Sequence, residues 1–82
     1  MNDNEFKEAV RKFYKKNNIR FISPERCEEP VVSYIPCEIC GSQDNARRYW
    51  FTGLTMGFKP VRYLGCEDCE AYIEFGILPS ER

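Results

Sequence analysis

The sequence predicts an α+β fold, with an N-terminal amphipathic helix packed on a small antiparallel sheet. Three observations predict it. Apolar residues near the start recur at helical spacing. Strand-forming residues dominate from Val31 to Phe75. Two C-x-x-C hooks, Cys37/Cys40 and Cys66/Cys69, are set into that β-rich stretch. The chain has 82 residues, 43% of them hydrophobic and 15% aromatic. That is room for one domain over residues 1–82, burying about 60–65% of the surface its unfolded form exposes. A core of that size often needs a covalent or metal staple.

The helix is expected over residues 4–17. Phe6, Ala9, Val10, Phe13 and Tyr14 follow the i, i+3, i+4, i+7, i+8 spacing of one helical face. Asp3 or Asn4 is placed to cap its start, and Asn17-Asn18 tolerates the left-handed dihedrals of a stop. Glu8 precedes Lys12 by four residues, the favourable order for an ion pair. Lys7, Arg11, Lys12, Lys15 and Lys16 fall on the opposite face.

A short strand is expected at Ile19–Ile22, ended by Ser23-Pro24. Residues 23–30, SPERCEEP, read as a polar loop. Val31–Ile35 reads as a strand leading into the first hook, with Pro36 stiffening the entry. After a loop at Gly41–Ala46, Arg48–Thr55 is rich in β-formers, and Met56-Gly57 makes a turn. Phe58–Leu64 returns as a second strand, with Pro60 marking a sheet edge. After the second hook, Ala71, Ile73 and Phe75 alternate as in a third strand. Gly76 and Pro79 close it, and residues 80–82 are expected to fray.

The hooks carry the chemistry. Twenty-five residues separate Cys40 from Cys66. A C-x-x-C turn lets two sulfurs face one ion at about 3.5–4 Å from each other. Two hooks close a tetrahedron of thiolates around one structural zinc ion, with no position left for water. Gly41 permits the positive φ that turns backbone N–H groups toward the sulfurs, whereas Glu70 holds the equivalent place after the second hook. Glu67, Asp68 and Glu70 set negative charge beside the thiolates, which raises thiol pKa values; Arg47, Arg48 or Arg62 are candidates to offset it. A four-thiolate iron site has the same spacing. Two disulfides or a redox pair are rival readings, against which stand an odd cysteine, two matched hooks and a polar start, MNDNEFKEAV, that does not read as a secretory signal. Cys27 is expected to be a partly buried thiol outside the ligand set.

Residues 31–78 resemble a zinc ribbon, on the strength of Cys37, Cys40 with Gly41, Cys66 and Cys69 and the β-rich sequence between and after them. The resemblance implies a zinc-ribbon-like antiparallel sheet of about three strands. Zinc ribbons are widespread in transcription factors, polymerase subunits and ribosomal proteins, so it also implies docking on the transcription apparatus or on nucleic acid. The second hook lacks the small residue that follows it in many ribbons.

Charge divides the chain. Residues 1–26 carry seven Lys/Arg against four Asp/Glu, and residues 27–82 five against nine. One basic, aromatic stretch interrupts the acidic part: Arg47, Arg48, Tyr49, Trp50 and Phe51, with Lys59 and Arg62 on the returning strand. Two of the three aromatics are expected in the core. Candidate contacts for nucleic acid are Lys12, Lys16, Arg47, Arg48, Trp50, Lys59 and Arg62. A second reading is a small acidic protein-interaction module, comparable to a phage-type inhibitor or immunity protein, using Glu67 and Asp68 to meet a basic protein partner. The chain has no histidine, no phosphate-cradling glycine loop and no nucleophile–base pair, so no enzyme and no small-molecule substrate are expected. No apolar run approaches a membrane span, and a reducing cytoplasmic location is expected.

Overall fold

A computed structural model describes residues 2–25, 29–43 and 46–82. The described residues form helix α1 (Asp3–Lys16), strands β1 (Ile19–Pro24), β2 (Val31–Val32), β3 (Arg47–Thr55) and β4 (Pro60–Gly65), helix α2 (Glu67–Phe75) and a 3-10 turn at Pro79–Glu81. The α+β class and the N-terminal helix match the expectation. Residue Cys27 and positions 44–45 of the expected loop lie outside the described residues.

Helix α1 starts one residue early because its cap is Asn2, not Asp3 or Asn4. The Asn2 side chain accepts from the Glu5 backbone N–H at 2.8 Å, and the Glu5 carboxylate accepts from the Asn2 N–H at 3.2 Å. This reciprocal pair satisfies two N–H groups that have no partner inside the helix. It leaves Asp3 in the first turn, where its charge suits the helix dipole. Phe6, Val10 and Phe13 are buried. Glu8 pairs with Arg11 at 3.2 Å rather than with Lys12. The helix stops at Asn17, and Asn18 takes a left-handed φ of 56°.

The sheet is antiparallel throughout, with β3 at its centre. β1 and β2 pair with successive parts of one edge of β3, and β4 pairs with the other. Ile22 lies opposite Gly53. A methyl group at Gly53 would run into the Phe21 carbonyl and the Ile22 side chain, so glycine lets the two strands close together there. The core face carries Ile22 and Phe51, which join Phe6, Val10, Phe13, Ile19, Ile39 and the four hook cysteines in one cluster. Of the three adjacent aromatics, Phe51 is fully buried and Tyr49 packs partly against the core; Trp50 lies half-buried on the other face.

Further expectations are corrected. β1 runs on through Ser23-Pro24, its expected end, and β4 starts at Pro60 rather than at Phe58. Val31–Ile35 is strand only at Val31–Val32, because the Ser33 hydroxyl accepts from the Ile35 N–H at 3.2 Å and bends the chain toward Pro36. The strand expected at Ala71–Phe75 is helix. Cys66 is its N-cap, Glu67, Asp68 and Glu70 occupy the first turn, and Gly76 closes it at φ 72°. An acidic first turn and a left-handed glycine stop together specify a helix. They outweigh an alternation of only three apolar residues. Residues 80–82 do not fray: the Ser80 N–H and hydroxyl both bond to Asp3, and Arg82 forms ion pairs with Glu67 and Asp68. The two ends of the chain are thereby tied to one side of the molecule.

Candidate metal centre

The first hook is a tight turn after Pro36. The Gly41 N–H donates to the Cys37 carbonyl at 2.9 Å, and Gly41 takes φ 79°, as its position in the hook predicts. The turn is fastened at both ends. The Cys37 N–H donates to the Ser42 carbonyl at 2.9 Å. Glu38 pairs with Leu64 of β4 through its own N–H, at 3.0 Å, and through its carboxylate, which accepts the Leu64 N–H at 2.9 Å. That second fastening fixes the first hook beside the strand leading into the second.

The second hook is built differently. β4 ends at Gly65, and Cys66 caps α2, so Cys66 and Cys69 lie three residues apart across a helical turn. Residues at that spacing share one helix face, so both sulfurs point to one side without a glycine. Glu70 is an ordinary helical residue here. The second hook therefore departs from the glycine-type knuckle that the ribbon resemblance implies.

The four sulfurs all lie within 4.8 Å of one another. Cys37 Sγ is 3.6 Å from Cys69 Sγ, and Cys40 Sγ is 3.5 Å from Cys66 Sγ, so each close pair takes one sulfur from each hook. These are too long for disulfide bonds, and all four cysteines are free. They approach the edge of about 3.8 Å that four Zn–S bonds of about 2.3 Å would span in a regular tetrahedron. The exposure of Cys37, Cys40, Cys66 and Cys69 is 3, 5, 5 and 0%. Four buried thiols clustered in this way are compatible with one structural metal ion such as zinc.

Electrostatics also favour a cation. The Cys37 sulfur accepts backbone N–H bonds from Ile39 and Cys40 at 3.4 Å and from Cys66 at 3.2 Å. Donation from Cys40, then from the other two thiols, holds Cys37 far below the ordinary thiol range. Cys69 is pushed far up, because its proton is committed first to Cys37 and then to the other sulfurs, and because it is buried. Without a cation the four sulfurs share protons among themselves, two thiols held below the ordinary range and two above it. A divalent cation would replace those protons.

The other predicted contacts are dispersed. Lys12 and Lys16 are exposed and, with Lys15, rim an open groove of about 560 Å³ beside Cys37–Gly41, floored by Ala9, Phe13 and Ile39. Arg48 is corrected as a surface contact: it is buried. Its guanidinium donates to the carbonyls of Ile35 at 3.0 Å, Ser42 at 3.3 Å and Arg47 at 2.9 Å, bracing the loop that enters and leaves the first hook. Arg47 is exposed at the start of β3. Arg62 lies with its guanidinium 4.1 Å from the centre of the Trp50 ring and grips Glu25 through two hydrogen bonds, at 2.7 and 3.1 Å. Lys59 is exposed in the β3–β4 turn. Glu67 and Asp68, half-buried, are held by Arg82. Sequence reasoning missed Arg82 as the cation opposite these acids, since a terminal residue carries no local signal of where it docks. No helix among the described residues is long and apolar enough to cross a membrane. Compared with protein-family models, curated proteins and solved structures, the chain matches none.

Proposed function

We propose that the chain is a small non-catalytic zinc module that docks on nucleic acid, in the manner of the ribbons its first hook and hairpin resemble. One observation carries the reading: four buried sulfurs, two from a glycine turn and two from a helix start, close around a single point. Four thiolates fill the tetrahedral positions of zinc, so the ion braces the fold and leaves no site for an attacking water. The reducing conditions that keep thiols free suit this role. The acidic protein-docking alternative has less support, since Arg82 already engages Glu67 and Asp68.

Elemental analysis with native mass spectrometry of the purified chain tests the metal: one zinc per chain is expected, and a metal-free chain with two disulfides would overturn it. Binding to mixed single- and double-stranded oligonucleotides at two salt concentrations tests the docking. Affinity that falls steeply with salt is expected from phosphate contacts. No binding at low salt would refute it.

A further inference from the structure

Phe58 holds a conformation that does not suit its side chain. Its φ is 62°, in the left-handed region where a Cβ meets the backbone, while its neighbour Gly57 stays outside that region. The turn needs a left-handed residue at this point: the Phe58 N–H donates to the Thr55 carbonyl at 2.9 Å, and the Thr55 N–H donates to the Lys59 carbonyl at 3.0 Å. Glycine or asparagine ordinarily fills such a position. Burial does not offset the strain, because Phe58 is 64% exposed. The Arg20 guanidinium lies 4.6 Å from the ring centre. Phe21 and Met56 are exposed as well.

A second arginine–aromatic pair stands further along the same hairpin. Register places Phe21 beside Leu54, Leu54 beside Pro60, Thr52 beside Arg62 and Trp50 beside Leu64, all on the face opposite Ile22 and Phe51. Phe21, Thr52 and Arg62 are exposed there, and Arg62 is stacked on Trp50. Arg20, Lys59 and Arg62 set three positive charges around this face and its tip, against the Glu25 carboxylate. The area is therefore both aromatic and cationic in a chain whose net charge is −1.

We propose that this sheet face and hairpin tip bind single-stranded nucleic acid. One base stacks on the exposed Phe58 ring and another on the Arg62 guanidinium over Trp50, while Arg20 and Lys59 meet phosphates. Exposed rings and guanidinium planes take unpaired bases, whose faces are open, and not bases within a duplex. The strained display of Phe58 follows, because a glycine in the turn would have no ring to offer. This inference rests on the nucleic-acid reading above and adds the face, the strandedness and the residues.

The test uses the full chain, fluorescein-labelled oligo(dT) and oligo(U) of twelve nucleotides, and a matched duplex, read by anisotropy and by Trp50 fluorescence. Expected are tighter binding of the single strands, quenching of Trp50, and an affinity loss of about tenfold in Phe58→Gly and again in Arg20→Glu. Phe58→Gly should melt at the same or a higher temperature than wild type, because glycine relieves the left-handed strain. Single-strand binding that is unchanged in both variants would overturn the assignment of this face and leave the nucleic-acid reading standing. Duplex binding equal to single-strand binding, or a lower melting temperature for Phe58→Gly, would also overturn the inference. No binding of any oligonucleotide at low salt would remove the inference and the docking reading together, and leave a protein partner as the occupant.

Discussion

At the scale of single residues, the molecule uses the left-handed region three ways. Among the described residues, Gly41 occupies it to shape a hook, Asn18 and Gly76 to stop helices, and Phe58 to hold out a ring. A glycine adopts it without steric cost, whereas an L side chain loses about 1–2 kcal/mol. Ion pairing shows a comparable economy of placement. Arg62 joins Glu25 and Trp50, linking the end of β1 to the β3–β4 hairpin. Hydrogen bonds from Arg62, then from Thr52, hold the Glu25 carboxyl below its ordinary value of 4.5. A carboxyl depressed in the fold contributes stability above its unfolded pKa, and that contribution is lost as pH falls through the folded value. We therefore expect a carboxylate NMR titration to show Glu25 ionised below pH 4.5, and Arg62→Gln to move its midpoint upward. An unmoved midpoint would mean that the pair does not persist in solution.

At the scale of elements, the second hook decides how the four sulfurs are brought together. If Cys66–Glu70 were a glycine-type knuckle, as the ribbon likeness implies, Glu70→Gly would relieve strain and raise stability. In helix α2 the same change should lower stability by about 1 kcal/mol, read as a lower melting temperature. A stabilised Glu70→Gly variant would restore the knuckle. The comparison also shows what was legible beforehand. The four cysteines, the helix periodicity of Phe6 to Tyr14 and the hairpin around Met56-Gly57 were readable because each signal is local. The fate of residues 67–75 was harder: Ala71, Ile73 and Phe75 alternate, but the capping Cys66, the acidic first turn and Gly76 set a helix. The burial of Arg48 was unreadable, since its partners are backbone carbonyls of Ile35 and Ser42, brought near only by the completed loop. The 3-10 turn at the end was missed for the same reason, because Ser80 bonds to Asp3 across most of the chain and the following Arg82 reaches back to Glu67 and Asp68.

At the scale of the whole molecule, the hooks are part of the core. Among the described residues, four of the eleven buried hydrophobic positions are the cysteines themselves, and the Cys69 side chain is among those most fully enclosed. The remaining core is a few aromatics and branched aliphatics from α1, β1, β3 and the first hook. Phe6 meets Tyr72 of α2 edge-on at 5.3 Å, and Phe13 meets Tyr63 of β4 at 4.8 Å. Helix α1 is thus held by rings whose partners, Tyr63 and Tyr72, flank the second hook. Without an ion, four buried thiols, two lowered and two raised from the ordinary range, share that centre with no common counter-charge. Structural zinc contributes an apparent free energy of about 10–16 kcal/mol near neutral pH, larger than the total stability of most small domains. Chelation should therefore abolish the cooperative melt and the near-ultraviolet signal of the packed aromatics, and added zinc should restore both. Cys40→Ser should behave like the chelated protein. Acid should mimic chelation, because protons compete for the sulfurs, so the loaded fold is lost as pH falls and protected as pH rises. A chelated chain that melts cooperatively at an unchanged temperature would show that Phe6, Phe13, Phe51 and their neighbours hold the molecule without an ion.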